Sequence, residues 1–366
     1  MTKSGKNKGE ASELYALLSV LRDRGIYAAD ENLEKDESRF YPVTKIFTSD
    51  ISENSSHFVI ENGESFAVKG STKIDSISQN NLEKDVEEIY LILNTNTDKG
   101  TLNYDFDVLK ERYHLNKVSA GSTSKIDINL KIYDEVLKTS QILPFSIKSF
   151  IGSKPTLLNS SGMTNFVYEI CGTLTKDDVN EINNMFVETK GKKHIDVIGR
   201  TKTILSKGCK LKFKKVQGET FEGNLRVIDS LLPEIISELL IGRSVIDNSN
   251  LSQITEYLTK TNPLNFIGNH DFYRTKITHL LIESFMGMVP RQIWNGYEQV
   301  HGGYIIVKSS GEVLCYPLSN RNAFEEYLFK NTFLENCSTS RSKYASIEEE
   351  NGKYIYKLNL AIRFNK

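Results

Sequence analysis

Residues 125–132 alternate apolar and polar side chains along their whole length. Ile126, Ile128, Leu130 and Ile132 fall on one face, and Asp127, Asn129 and Lys131 on the other. A period of two marks a strand with one buried face, because successive side chains of extended backbone point to opposite sides. A second run, 142–150, puts Phe145 and Ile147 on one face and Ser146 and Lys148 on the other. Residues 134–141 between them are polar enough to turn the chain. The two runs read as a hairpin. Paired symmetrically, 127 lies opposite 148 and 134 opposite 141, so a carboxylate meets an ammonium on the polar side of a sheet. An oxygen ligand for a hard cation, with a lysine beside it, is the layout that metal-dependent phosphodiester hydrolysis needs.

At 366 residues the chain can bury a sizeable core, in two domains or one elaborated one. No apolar run approaches the ~18 residues of a membrane helix. Met1 to Glu10 is basic and polar, with no apolar segment behind it to make a signal peptide. Cys171, Cys209, Cys315 and Cys337 are far apart and include no Cys-x-x-Cys pair. They read as reduced thiols of a cytoplasmic protein, with neither a zinc site nor a disulfide frame. None of the histidines has the spacing of a histidine-based nuclease.

Net charge is −1, which by itself calls for no polyanion. The distribution says more. Lys190, Lys192, Lys193, Arg200, Lys202, Lys207, Lys210, Lys212, Lys214 and Lys215 stand against the single acid Asp196 in that stretch. Such a block can follow a phosphate backbone or form a solvated surface. Lys192, Lys193 and Arg200 are its candidate DNA contacts.

Elsewhere the pattern mixes the two periods. Leu14, Leu17, Leu18 and Leu21 recur at helical spacing in a segment ending near Gly25. Short strands are expected at 41–48, 57–60 and 66–69, and helices at 82–93 and 108–115. After the hairpin come a strand at 164–171, a helix at 176–189 and strand-like pieces at 203–205 and 211–213. Helices are expected at 226–240, 251–259 and 270–288. Two strands meet at Ser310-Gly311-Glu312, and a last strand spans 354–364. The class is α+β (α/β), a mixed sheet flanked by helices. A shift from strand-rich to helix-rich pattern suggests domains at 1–215 and 216–366.

Asp127 followed by Ser146-x-Lys148 is a degenerate form of the PD-(D/E)xK nuclease motif, with Ser146 where a second carboxylate usually stands. Taken alone, it also describes an ordinary surface ion pair. Mg²⁺ takes one or two protein carboxylates and completes its shell with water and phosphate oxygens. Asp127 therefore needs help. Glu169, on a strand expected beside the hairpin, or Glu10, from the first helix, can supply it. Glu10 also reads as an acid favoured at a helix N-terminus, and Glu169 as a solvent-side strand residue.

Four further segments carry a resemblance. They are Asn7 to Tyr15 with Tyr27 to Asn32; Phe145 to Ser149, continuing through Thr156 to Asn159 and Thr164 to Phe166; His270 to Lys276; and Gly302 to Lys308 onward. The last includes Asn320-Arg321-Asn322, Ser338 to Arg341 and Lys357 to Leu360. In this order they resemble the HpaII family of type II restriction endonucleases, over nearly the whole chain. The resemblance implies a PD-(D/E)xK-like core with helical and hairpin recognition elements. It also implies Mg²⁺-dependent cleavage of double-stranded DNA at a short site, CCGG for the family's namesake, leaving 5′-phosphates. Asp127 and Lys148 fall in the family's nuclease motif, which makes Asp127, Ser146, Lys148 and Glu10 the catalytic set and Asp127, Glu169 and Glu10 the metal set. Asn159 and Asn165 fall in the segment after the lysine, as DNA-binding candidates. Arg274, Arg321 and Arg341 are candidate base readers, because a guanidinium can donate two bonds to guanine O6 and N7. A cognate DNA methyltransferase is implied as functional partner, and a homodimer or a monomer can read a palindrome. The rival expectations are a catalytically silent DNA-binding relative, a modification-dependent nuclease, and a protein that binds no nucleic acid.

Overall fold

The computed structural model describes residues 8–48, 51, 55–95, 102, 104–115, 126–134, 138–152, 155–189, 191–297, 300–317, 321–336 and 339–365. The chain opens with α1 (Lys8–Asp23), β1 (Gly25–Ala29), β2 (Lys35–Phe47), β3 (Ser56–Glu61), β4 (Glu64–Lys69), β5 (Thr72–Ile77), α2 (Gln79–Thr95), α3 (Phe106–Arg112), β6 (Ile128–Asp134) and β7 (Thr139–Ser149). It continues through β8 (Thr156–Leu158), β9 (Asn165–Cys171), α4 (Lys176–Asn183), β10 (Phe186–Thr189), β11 (Lys192–Ile195), α5 (Val197–Ser206), β12 (Lys210–Val216), α6 (Glu219–Ile228), α7 (Leu232–Ile246), α8 (Leu251–Thr261) and α9 (Phe272–Met286). The last part holds β13 (Gly303–Val307), β14 (Val313–Pro317), α10 (Arg321–Lys330), β15 (Thr332–Leu334), α11 (Thr339–Ser342), β16 (Glu348–Glu350), β17 (Lys353–Asn359) and β18 (Ile362–Phe364). The class is α+β, as the mixed periodicity implied.

The chain forms two compact units, 1–155 with 298–327, and 156–297 with 328–366. The division expected at 215/216 is not the one observed. That cut falls inside β12, whose Lys215 and Val216 pair with Val167 and Phe166 of β9.

In the first unit the strand order is β1-β14-β13-β7-β6-β2-β3-β4-β5. β2 pairs with β1 through its first half and with β6 and β3 through its second, so the ladder from β1 round to β2 closes on itself. β13–β7 and β1–β14 are parallel in an otherwise antiparallel sheet. Ile128, Leu130 and Ile132 of β6 and Phe145 and Ile147 of β7 turn into one core with α1 and α2. Leu14, Leu18 and Leu21 of α1 are fully buried, each worth roughly 1.5–3 kcal/mol of transfer free energy. α1 stops where Arg24 adopts a left-handed φ of 56°. A Cβ at the following Gly25 would stand 2.2 Å from the Phe40 ring and 2.7 Å from the Tyr41 carbonyl, so only glycine lets β1 lie against β2 there.

In the second unit, β12-β9-β17-β16 form one sheet and β15-β18-β8 another. Its inner face is aromatic: Phe166, Tyr168 and Tyr356 are fully buried. The Tyr168 hydroxyl donates to the Ser237 carbonyl of α7 (3.0 Å), and Tyr356 and Thr201 of α5 share a hydroxyl–hydroxyl bond of 3.1 Å.

Several sequence expectations are corrected. The helix expected over 176–189 ends at Asn183, and 186–189 instead pairs with β11 as a strand. Thr203-Ile204-Leu205 is helical, because Asp196 caps α5 through the Gly199 N–H (2.8 Å) and Ile204 is buried on its inner face. One helix over 226–240 becomes α6 and α7, with Pro233 in the first turn of the second. The final strand breaks into β17 and β18. Among the described residues, no helix is long and apolar enough to cross a membrane.

Replacing fully buried Leu130 with alanine should lower stability by about 2–5 kcal/mol. A urea-unfolding midpoint unchanged from wild type would show that the sheet core is not where the packing energy lies.

Candidate active site

The hairpin forms between the expected runs, but in a different register. Ile128 pairs with Phe145 and Asp134 with Thr139, so the strands run two residues further into the polar stretch than symmetric pairing assumed. Polar residues such as Ser140 and Gln141 need not end a strand when a partner backbone is available. Extending the ladder by one residue brings Asp127 level with Ser146, not Lys148. The Asp127 N–H donates to the Phe145 carbonyl (3.0 Å), which holds residue 127 in the ladder.

That shift decides the chemistry of the pair. Asp127 Oδ2 accepts from the Ser146 hydroxyl at 2.9 Å and from the Ile147 N–H at 2.6 Å. Ser146 is 2% exposed, so its hydroxyl acts in a poorly hydrated environment where a hydrogen bond to a carboxylate is strong. Ser146 is therefore a donor that fixes the acid, rather than a weak replacement for a missing ligand. Lys148 is half-buried on β7, on the same side as Ser146 and about 7 Å further along the strand. Its neighbour on parallel β13 is Ile306. Carboxylate and ammonium thus lie diagonally across the two strands.

α1 meets the C-terminal end of β7. A Cβ at Gly152 would stand 3.3 Å from the Lys8 side chain, so the first turn of α1, with half-buried Glu10, lies at the end of the sheet that carries Lys148. Lys8 Nζ donates to the Leu93 carbonyl (3.2 Å), which ties that turn to α2. Glu169 lies on β9, in the second unit. Both edges of β9 are occupied, by β12 and β17, so the expectation that this strand borders the hairpin is corrected. Its carboxylate accepts from Lys353 (2.9 Å) and Lys214 (3.1 Å), and these ammonium groups hold its pKa below the ordinary glutamate value. Among the described residues, no three His, Cys, Asp or Glu side chains gather closely enough to hold a metal ion by themselves.

The family model of the HpaII restriction endonuclease matches residues 7–364. The chain belongs to that family. It is 33% identical over 361 residues to the type II restriction enzyme HpaII of Haemophilus parainfluenzae, with 98% of each chain covered. No solved structure matches. The protein is a type II site-specific endonuclease, and double-stranded DNA is its substrate.

Two of the DNA-binding candidates are buried. Asn165 is fully buried; its amide donates to Gln217 Oε1 (3.1 Å) and the Ser342 carbonyl (2.7 Å) and accepts from Asn359 (2.7 Å). Arg200 is 1% exposed. Its guanidinium donates to the carbonyls of Met185 (3.1 Å), Ala345 (2.7 Å) and Asn183 and to Ser346 Oγ (3.2 Å). Burial draws its pKa down from the usual arginine value. Both residues are structural, which corrects their assignment to the DNA surface. Sequence alone could not tell, because a buried arginine that caps carbonyls and an exposed one look alike without the fold.

Asn159, Lys192 and Lys193 are exposed. Arg274, in the first turn of α9, is exposed with its guanidinium 4.9 Å from the Phe329 ring centroid. The Arg321 Nε donates to Glu325 at 2.7 Å. Arg341 lies on α11, and its side chain is outside the described residues.

Arg200→Lys should cost about 3 kcal/mol or more, because one ammonium cannot satisfy that set of buried carbonyls. Thermal melting would read the loss. A variant that melted normally but bound DNA with a smaller salt dependence would restore Arg200 to the DNA surface.

Proposed function

We propose that this endonuclease cuts a short, CCGG-type duplex site through a PD-(D/E)xK-like, Mg²⁺-dependent centre built on Asp127, Ser146, Lys148 and Glu10, leaving 5′-phosphate and 3′-hydroxyl ends. The observation that carries the reading is the Asp127 carboxylate, held by Ser146 and the Ile147 N–H immediately before Lys148. An acid fixed in this way has one orientation available, as a preorganised ligand requires. The donor set suits Mg²⁺, a hard cation that is content with one or two carboxylates, water and phosphate oxygens. Asp127 would hold it, with Glu10 from α1 as the second acid in preference to the lysine-paired Glu169. When bound, the ion supplies Lewis acidity toward water and phosphate oxygens.

The rest falls to the chain. Ser146 keeps the Asp127 carboxylate from rotating. Lys148 orients the attacking water and offsets the negative charge that builds on the phosphorane. The half-buried setting of Lys148 and the burial of Ser146 strengthen both effects, since charges act over lower dielectric there. Arg274, Arg321 and Arg341 read base edges, and Asn159, Lys192 and Lys193 contact the backbone. A palindromic site suits a homodimer, and a cognate DNA methyltransferase of the same specificity completes the system, with the endonuclease acting in the cytoplasm.

Asp127→Ala and Lys148→Ala should each lower cleavage about a hundredfold or more while leaving duplex binding in place. Wild-type cleavage by both variants would remove these residues from the mechanism. Run-off sequencing of a cut plasmid reads site and cut position together, and ends away from CCGG would overturn the specificity. Glu10→Gln should impair cleavage far more than Glu169→Gln; the reverse order would make Glu169 the second acid.

A further inference from the structure

The basic stretch 190–215 is not uniform once folded. Arg200 is buried. Lys202 pairs with Asp247 (3.0 Å), and Lys207 with Asp178 (2.5 Å) and Glu181 (3.2 Å). Lys214 pairs with Glu169. Among the described residues, Lys210, Lys212 and Lys215 have no acidic partner, and all three are exposed on β12.

They also share a face. Lys210 lies across from Cys171, Lys212 from Glu169 and Lys215 from Val167, the positions of β9 that alternate with Phe166, Tyr168 and Ile170. Strict alternation would have turned Lys215 inward. A bulge between Phe213 and Lys215 makes Lys214 the extra residue, so that Lys215 faces out and Val216 enters the core at 1% exposure. Successive lysines are then about 7 Å apart along the strand. The row continues on β17, where Lys357 also lies across from Val167, and Lys353 is two residues from Ile355, the partner of Glu169. Acids meet the lysines on the β17 side: Glu169 takes Lys353, and Glu348 takes Lys357 at 2.8 Å. The β12 side is left positive.

Resting on the reading of this chain as a duplex-cutting endonuclease, we propose that the outer face of β12, with Lys210, Lys212 and Lys215, is a phosphate-contacting surface that takes the sugar–phosphate backbone of the DNA. Like charges in a row repel one another, and the acid across from Lys212, Glu169, is already engaged by Lys214 and Lys353. A polyanion relieves that repulsion, releasing its condensed counterions as it binds. The contact positions the duplex and carries no sequence information. β12 is also an edge strand, and the rival role for lysines on an edge is to discourage strand addition by another molecule.

The two roles separate experimentally. In the full-length triple variant Lys210→Gln/Lys212→Gln/Lys215→Gln, duplex binding is measured without divalent cation across a KCl series, on duplexes with and without the recognition site. The slope of log K against log salt should become shallower by about 2.7, about 0.9 for each lost contact, equally on both duplexes. Lys202→Gln/Lys207→Gln, which removes lysines already paired with acids, should keep the wild-type slope. An unchanged slope in the triple variant overturns the proposal, and self-association at unchanged slope would identify the row as edge protection. A wild-type protein that bound duplex but never cut it would fail the catalytic reading alone, whereas one that bound no duplex would fail both.

Discussion

The backbone ladder between β6 and β7 sets the positions of Asp127, Ser146 and Lys148 in the proposed active site. With Ile128 opposite Phe145, the residue before β6 comes level with Ser146, and its carboxylate reaches both a hydroxyl and a main-chain N–H of the neighbouring strand. A slip of one residue would reverse which side chains face the core, sending Ile128, Leu130 and Ile132 toward the polar side. The apolar face therefore fixes the register, and the register fixes the acid. Packing energy spent on the core thereby determines the geometry of the proposed site. β13 reinforces this from the other edge, since its parallel pairing with residues 145–149 leaves β7 no freedom to slide.

Electrostatics in the second unit follow a similar logic of pairing. The whole chain is nearly neutral, yet its cations divide into three kinds. Arg200 is buried and spends its donors on carbonyls, a role in which charge matters less than the planar fork of N–H groups. Lys202, Lys207, Lys214, Lys353 and Lys357 are paired with acids and add little to the long-range field. Only those without acids project a field that steers a polyanion. Counting lysines along the chain overstates the basic surface and misplaces it.

Much of the fold was legible beforehand. The leucine stripe of α1 and the alternation in β6 and β7 were readable because burial imposes a period on side chains. Elements failed to be read where a local signal competed with packing. Thr203-Ile204-Leu205 looks like a strand by its side chains, but Asp196 caps a helix there and Ile204 fills its core. The 176–189 segment begins as a well-capped helix, and only the pairing of 186–189 with β11 shows where it stops. Corrections at the site had the same origin. Asn165 was chosen for its place in a resembling segment and Arg200 for its charge, and neither reveals burial.

By itself, the sequence determined the class of the fold, the hairpin that bears Asp127 and Lys148, and membership of an endonuclease family. Each is carried by periodicity or by residue order, which are linear properties. Tertiary structure alone decided that Ser146 is a donor to Asp127, that the strand of Glu169 pairs with β12 and β17 rather than with the hairpin, and that a bulge turns Lys215 outward. These depend on register and on which distant strands become neighbours. Such facts arise from burying many side chains at once, and no single segment encodes them.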